Sequence, residues 1–110
     1  EWLPLPKGTH FVALLTHSGS RGTGHNLATH YTNLSDDYRK HIAKGIPKGY
    51  GWLDMNKEAG QEYWEVMQLM GDYAVANHEL IHKHFAGTAG LESVFNTWNR
   101  HNYAWKIGDV

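Results

Sequence analysis

The apolar residues of this chain fall into three patterns. Phe11-Val12-Ala13-Leu14-Leu15-Thr16 is a nearly continuous apolar run behind Gly8. A short run of this kind predicts a strand covered on both faces. Further on, Trp64, Met67, Met70, Ala74, Ile81 and Phe85 are spaced three, four or seven residues apart. That is the repeat of one helix face, and it predicts a long helix from Lys57 to about Phe85, closed by Gly87. Asn77 lies on the same seam, and Gly71 with Ala74 leaves room for another element to approach. From His101 to Ile107 the pattern alternates, with Tyr103, Trp105 and Ile107 on one side, which predicts a second strand.

Between these patterns the chain is more broken. Trp2 to Gly8 holds two prolines and reads as extended. His17-Ser18-Gly19-Ser20-Arg21-Gly22-Thr23-Gly24-His25 is a glycine- and hydroxyl-rich loop. Asn26 to about Tyr31 begins a helix. Ser35-Asp36-Asp37 has the form of an N-cap followed by acids, which predicts a separate helical stretch to about Ala43. Gly45, Pro47, Gly49 and Gly51 make Lys44 to Asn56 a loop. Leu91 to Trp98 is ambiguous, and no internal repeat is visible. The expected fold class is α+β: strand, glycine-rich loop, helix, one long central helix and a C-terminal strand. Residues 1–110 are expected to form one partial domain. The chain starts at Glu1 without a Met and stops at Val110 just after the alternating stretch, so the expectation is a piece of a longer protein.

Composition narrows the chemistry. Ten Lys plus Arg against eleven Asp plus Glu give a formal net charge of −1, which excludes the broad basic field of a non-specific nucleic-acid binder but leaves room for a local phosphate site. Cysteine is absent, so this chain supplies no disulfide, zinc thiolate or thiol nucleophile. The longest apolar run is far short of a membrane span, and no signal peptide is visible. Nine His in 110 residues invite a metal hypothesis and also guarantee chance matches to histidine motifs.

The strongest chemical signal is the loop after Thr16. Its glycines allow successive N–H groups to face one concavity. A helix follows, whose N-terminus adds positive potential. Ser18 and Ser20 offer hydroxyl donors, and Arg21 offers a planar two-pronged donor suited to phosphate. His17 can present a neutral imidazole to a metal. Ser18 to Gly24 is therefore expected to be a compact anion-binding turn, against the plainer alternative of a tight strand-to-helix turn with an incidental Arg.

A second match needs weighing. His78-Glu79-Leu80-Ile81-His82 fits the H-E-x-x-H pattern of zinc hydrolases, with both imidazoles on one helix face and Glu79 as general base. The downstream glycine and histidine of the extended motif are absent; Phe85 and Thr88 stand there instead. A helix with surface histidines explains the pattern better. Asn77 on the apolar seam turns part of this face towards protein, and no zinc is expected on His78 and His82.

Three blocks in order resemble the RtcB-type RNA-splicing ligases. They are His17-Ser18-Gly19-Ser20-Arg21-Gly22-x-Gly24, then Gly60-Gln61-Glu62-Tyr63-Trp64 with Met67 and Tyr73-Ala74-x-Ala76-Asn77, then His101-Asn102-x-Ala104. The resemblance runs from about Phe11 to Lys106. It implies an enzyme that uses GTP and Mn2+ to join RNA ends bearing a 2′,3′-cyclic phosphate or 3′-phosphate to 5′-hydroxyl ends, in tRNA splicing or RNA repair. It implies metal ligands at His17 and His101. It also implies nucleotide or phosphate contacts at Ser18, Ser20, Arg21, Gly22, His101 and Asn102. His17 and His101 would then approach each other, and Arg21 would share their cleft with Asn102. The family's guanylylated His lies downstream of the His-Asn block and its other metal ligands lie elsewhere, so no catalytic residue is assigned here and the segment alone is expected to be inactive. The family usually has Arg after the Asn of the middle block, where this chain has His78. A cytoplasmic location, an RNA partner and self-association of the isolated segment complete the expectation. An inert phosphate- or metal-binding module is the alternative.

Overall fold

In the computed structural model, residues 4–100 and 103–108 are described, and their regular structure is two helices. Helix α1 spans Arg21–Ile42 and helix α2 spans Glu58–Ala89. Helix α1 is one element where two were expected. The Ser35 hydroxyl does not cap a new helix; it donates back to the Thr32 carbonyl at 2.9 Å, a bond compatible with continuous helix. Asp36 and Arg39, one turn apart, are buried and joined by an Arg39 Nε to Asp36 Oδ1 hydrogen bond of 3.3 Å. Both are spent on holding the following loop. The Gly49 N–H donates to Asp36 Oδ1 at 2.9 Å, and Arg39 Nη1 donates to the Ile46 carbonyl. Arg39, Lys40 and His41 in the last turn suit the negative end of the helix.

Helix α2 keeps its predicted seam partly covered from Trp64 to Ala74, leaves Ile81 and Phe85 exposed, and runs one turn beyond Phe85. Gly90, not Gly87, takes the left-handed conformation (φ 65°) that ends it, and the Leu91 N–H donates to the Ala86 carbonyl at 2.9 Å. The two helices meet at Tyr31 and Tyr63, whose ring centroids lie 5.1 Å apart at 46°.

The α+β expectation is corrected here: the described residues contain two helices and no strand. Phe11–Thr16 is irregular, with Val12 82% and Leu15 94% exposed. Residues 103–107 are irregular too, with Trp105 and Ile107 exposed. A strand needs a neighbour to satisfy its N–H and C=O groups, and neither segment has one among the described residues. Apolarity at these positions reflects a demand for cover that the helices do not meet. Tyr31 is the only buried apolar side chain among the described residues. The radius of gyration is 19.4 Å, against about 13 Å for a compact chain of this length. No described helix is long and apolar enough to cross a membrane.

Candidate functional site

Residues of α1 and α2, Tyr31 and Tyr63 among them, line a cleft of about 540 Å³. Its floor is apolar, with Leu27 from α1 and Met67 and Met70 from α2. His17, Ser18, Gly19, Ser20 and Arg21 form one rim, and Arg100 with Tyr103 forms another. The sequence therefore places the candidate phosphate loop at the opening of a concave, largely apolar site.

That loop is shorter than expected. Helix α1 starts at Arg21, so Gly22 and Gly24 belong to its first turn and only residues 17–20 form the turn proper. No strand precedes it among the described residues. Arg21 has φ 56°, the only positive φ at a non-glycine residue in the described chain. This is a left-handed conformation that an L side chain adopts at a cost, and such strain gathers at working sites. The Ser20 side chain makes no capping hydrogen bond to the helix, so the first N–H groups of α1 keep their positive potential at the cleft.

Helix α2 holds the loop. The Asn77 amide donates to Ser18 Oγ at 3.4 Å and to the Gly19 carbonyl at 3.3 Å. His78 Nε2 lies 2.7 Å from the Ser18 carbonyl and 3.2 Å from the Ser18 amide nitrogen. One ring nitrogen can donate or accept but not both, and the shorter contact selects a ring that donates from Nε2. His82 Nε2 lies 2.8 Å from the Thr16 hydroxyl, and its Nδ1 lies 3.3 Å from Asn96 Oδ1. The carbonyl oxygen of Asn96 can only accept. His82 therefore carries its proton on Nδ1 and takes the Thr16 proton at Nε2. The H-E-x-x-H stripe is thus occupied by the chain's own Thr16–Ser18 segment, while Glu79 is exposed.

Arg100 went unnoticed in the sequence. Its guanidinium sits 4.9 Å from the Tyr103 ring centroid and 5.4 Å from that of Trp98, and it donates to Asp72 Oδ1 at 2.8 Å. Tyr103 donates to Gln68. The signal available was one cation flanked by Trp98, Tyr103 and Trp105, a grouping suited to cation–π contact.

His17, Ser18, Ser20 and Arg21 stand together on one rim, while Gly22 lies just behind them in α1. His101 and Asn102 lie outside the described residues, and so does the expected approach of His17 to His101. The described residues contain no group of three or more His, Asp or Glu side chains that could hold a metal ion. They do not by themselves fit manganese, which normally takes more protein donors than His17 alone.

The family model for tRNA-splicing ligase RtcB matches residues 5–106, and the chain belongs to the RtcB family. A tRNA-splicing ligase RtcB of Methanococcus maripaludis is 34% identical over 87 residues, which cover 78% of this chain and 18% of that protein. The corresponding ligase of Methanocaldococcus jannaschii is 32% identical over 71 residues, covering 64% and 7%. An RNA-splicing ligase RtcB homolog of Entamoeba dispar is 31% identical over 70 residues, covering 64% and 13%. The chain thus spans less than a fifth of the length of these curated relatives. No solved structure matches.

Proposed function

We propose that this chain is a central segment of the catalytic domain of an RNA ligase, one that joins 2′,3′-cyclic phosphate or 3′-phosphate ends to 5′-hydroxyl ends. The observation that supports it most is the His17-to-Gly24 block of an RtcB-family chain lying on the rim of the cleft between α1 and α2. Ser18 and Ser20 supply hydroxyl donors, and Arg21 supplies a two-pronged cationic donor. The α1 N-terminus adds positive potential for the phosphate of an RNA end or nucleotide. Positioning and charge neutralisation are most of what phosphoryl transfer asks of a protein. His101 and Asn102 belong to the same reading as phosphate contacts. GTP and Mn2+ enter it through the family resemblance alone. His17 would be one donor to the metal, and the remaining ligands would come from outside the described residues. Exposed side chains such as Phe11, Leu15 and Val94 support a segment that is inert and self-associating in isolation.

The test is Arg21→Lys in the full-length chain that carries this segment. Lysine keeps the charge and loses the fork. Joining of a 3′-phosphate end to a 5′-hydroxyl end should fall at least about tenfold, the loss of one good charge-assisted hydrogen bond, with the melting curve unchanged. Wild-type joining by a well-folded variant would reduce the loop to a turn.

A further inference from the structure

The stripe on α2 that imitates a zinc motif has a use of its own. Asn77, His78 and His82 present four side-chain nitrogens to the chain at Thr16–Gly19 and to Asn96. His78 and His82 are one helical turn apart, the spacing that places two side chains over one line of contact. The residue between their two anchor points is His17, since His82 meets Thr16 and His78 meets Ser18.

We propose that His78, supported by Asn77 and His82, is a positioning residue: it holds the Ser18 backbone and thereby fixes where His17 and the phosphate loop stand on the rim of the cleft. This rests on the ligase reading given above. The geometry is local and specific. His78 reaches a main-chain carbonyl, so the contact fixes backbone whatever side chain stands at position 18. The contact distances assign opposite tautomers to the two rings, with His78 donating from Nε2 and His82 accepting there. A zinc-binding pair would need one nitrogen of each ring free of its proton and facing a common point, whereas here both Nε2 atoms are engaged by the Thr16–Ser18 segment.

The experiment uses the full-length chain and the variants His78→Ala and His78→Gln. Glutamine places an amide N–H about where His78 Nε2–H lies. Three readouts apply: ring 15N spectra of the wild type, amide exchange of residues 17–19, and steady-state end joining. The wild type should show an Nε2–H tautomer at His78 and an Nδ1–H tautomer at His82. His78→Ala should speed exchange at Ser18 and Gly19. It should lower kcat about a hundredfold, the loss expected for a misplacement of about 1 Å, with KM little changed. His78→Gln should restore both. Unchanged exchange in His78→Ala, wild-type kcat despite faster exchange, or Ala and Gln variants impaired alike would each overturn the proposal. A wild-type chain that joins no RNA ends would instead overturn the ligase reading, and the tautomers and exchange rates would then decide alone whether the clasp exists.

Discussion

Gly71 of α2 faces Tyr103 so closely that a methyl group at position 71 would stand 2.7 Å from Cε2 of the ring, and 2.9 Å from Arg100 Nη1. The glycine is what lets the Arg100 and Tyr103 rim lie against the helix. Gly71→Ala should therefore push that rim away, at a cost of about 1–3 kcal/mol for overpacking a fitted contact. Gly87, on the same helix, has nothing within 4 Å of the equivalent methyl. Gly87→Ala should stabilise by up to about 1 kcal/mol through helix propensity. Melting curves and the fluorescence of Trp98 and Trp105 separate the two, and equal effects would contradict the close approach at Gly71.

Asp36 should make the 44–51 loop sensitive to acid. The Gly49 N–H bonded to its carboxylate holds the Asp36 carboxyl below the usual carboxylate range, and the Arg39 guanidinium adds to this. A carboxyl lowered in the folded state contributes stability above its unfolded value of about 4, and loses it as pH falls through the folded value. Loop docking should thus be constant near neutrality and weaken below about pH 4. The Gly49 amide chemical shift should follow this change, and Asp36→Asn should flatten it. A Gly49 shift that titrates identically in Asp36→Asn would assign the effect to another group.

Arg21 should show a split between stability and activity. Its left-handed conformation costs about 1–2 kcal/mol for an L residue, whereas glycine adopts it freely and loses up to about 1 kcal/mol for its place in a helix. Arg21→Gly in the full-length chain should melt at or slightly above the wild-type temperature and join RNA ends no better than Arg21→Lys. A clearly lower melting temperature would mean that the Arg21 side chain holds the fold and not the ligand.

The sequence carries its local information well and its distant information poorly. Helix α2 was legible because its seam repeats over about six turns and a glycine ends it. The placement of His17 through Arg21 on a cleft was legible in kind, because glycines and hydroxyls before a helix make a rim. Ser35-Asp36-Asp37 misled because a cap and a helix-interior anchor use the same residue types, and Gly49 decides between them from thirteen positions away. Phe11–Thr16 and Tyr103–Ile107 misled for a related reason. An apolar run or an apolar alternation reports that a segment wants cover, not that a strand lies beside it. For His78 and His82 the sequence offers a zinc pair or surface histidines, and Asn77 on the apolar seam points only part of their face towards protein. Their target, the Thr16–Ser18 backbone, leaves no mark in composition.

The clasp between Thr16 and His82 joins residues 66 positions apart, and that separation decides when it can form. Closing so long a flexible loop costs about 4 kcal/mol in chain entropy. The hydrogen bonds of Asn77, His78 and His82 contribute about 1 kcal/mol each. Together they only about balance that cost, so they do not hold the loop closed on an unstructured chain. They close it only after α1 and α2 have formed and met at Tyr31 and Tyr63, when two rigid rods have replaced most of the slack. Helices form within about a microsecond. The rim that carries His17 is therefore expected to dock after the helices have paired, and its integrity would report on that pairing.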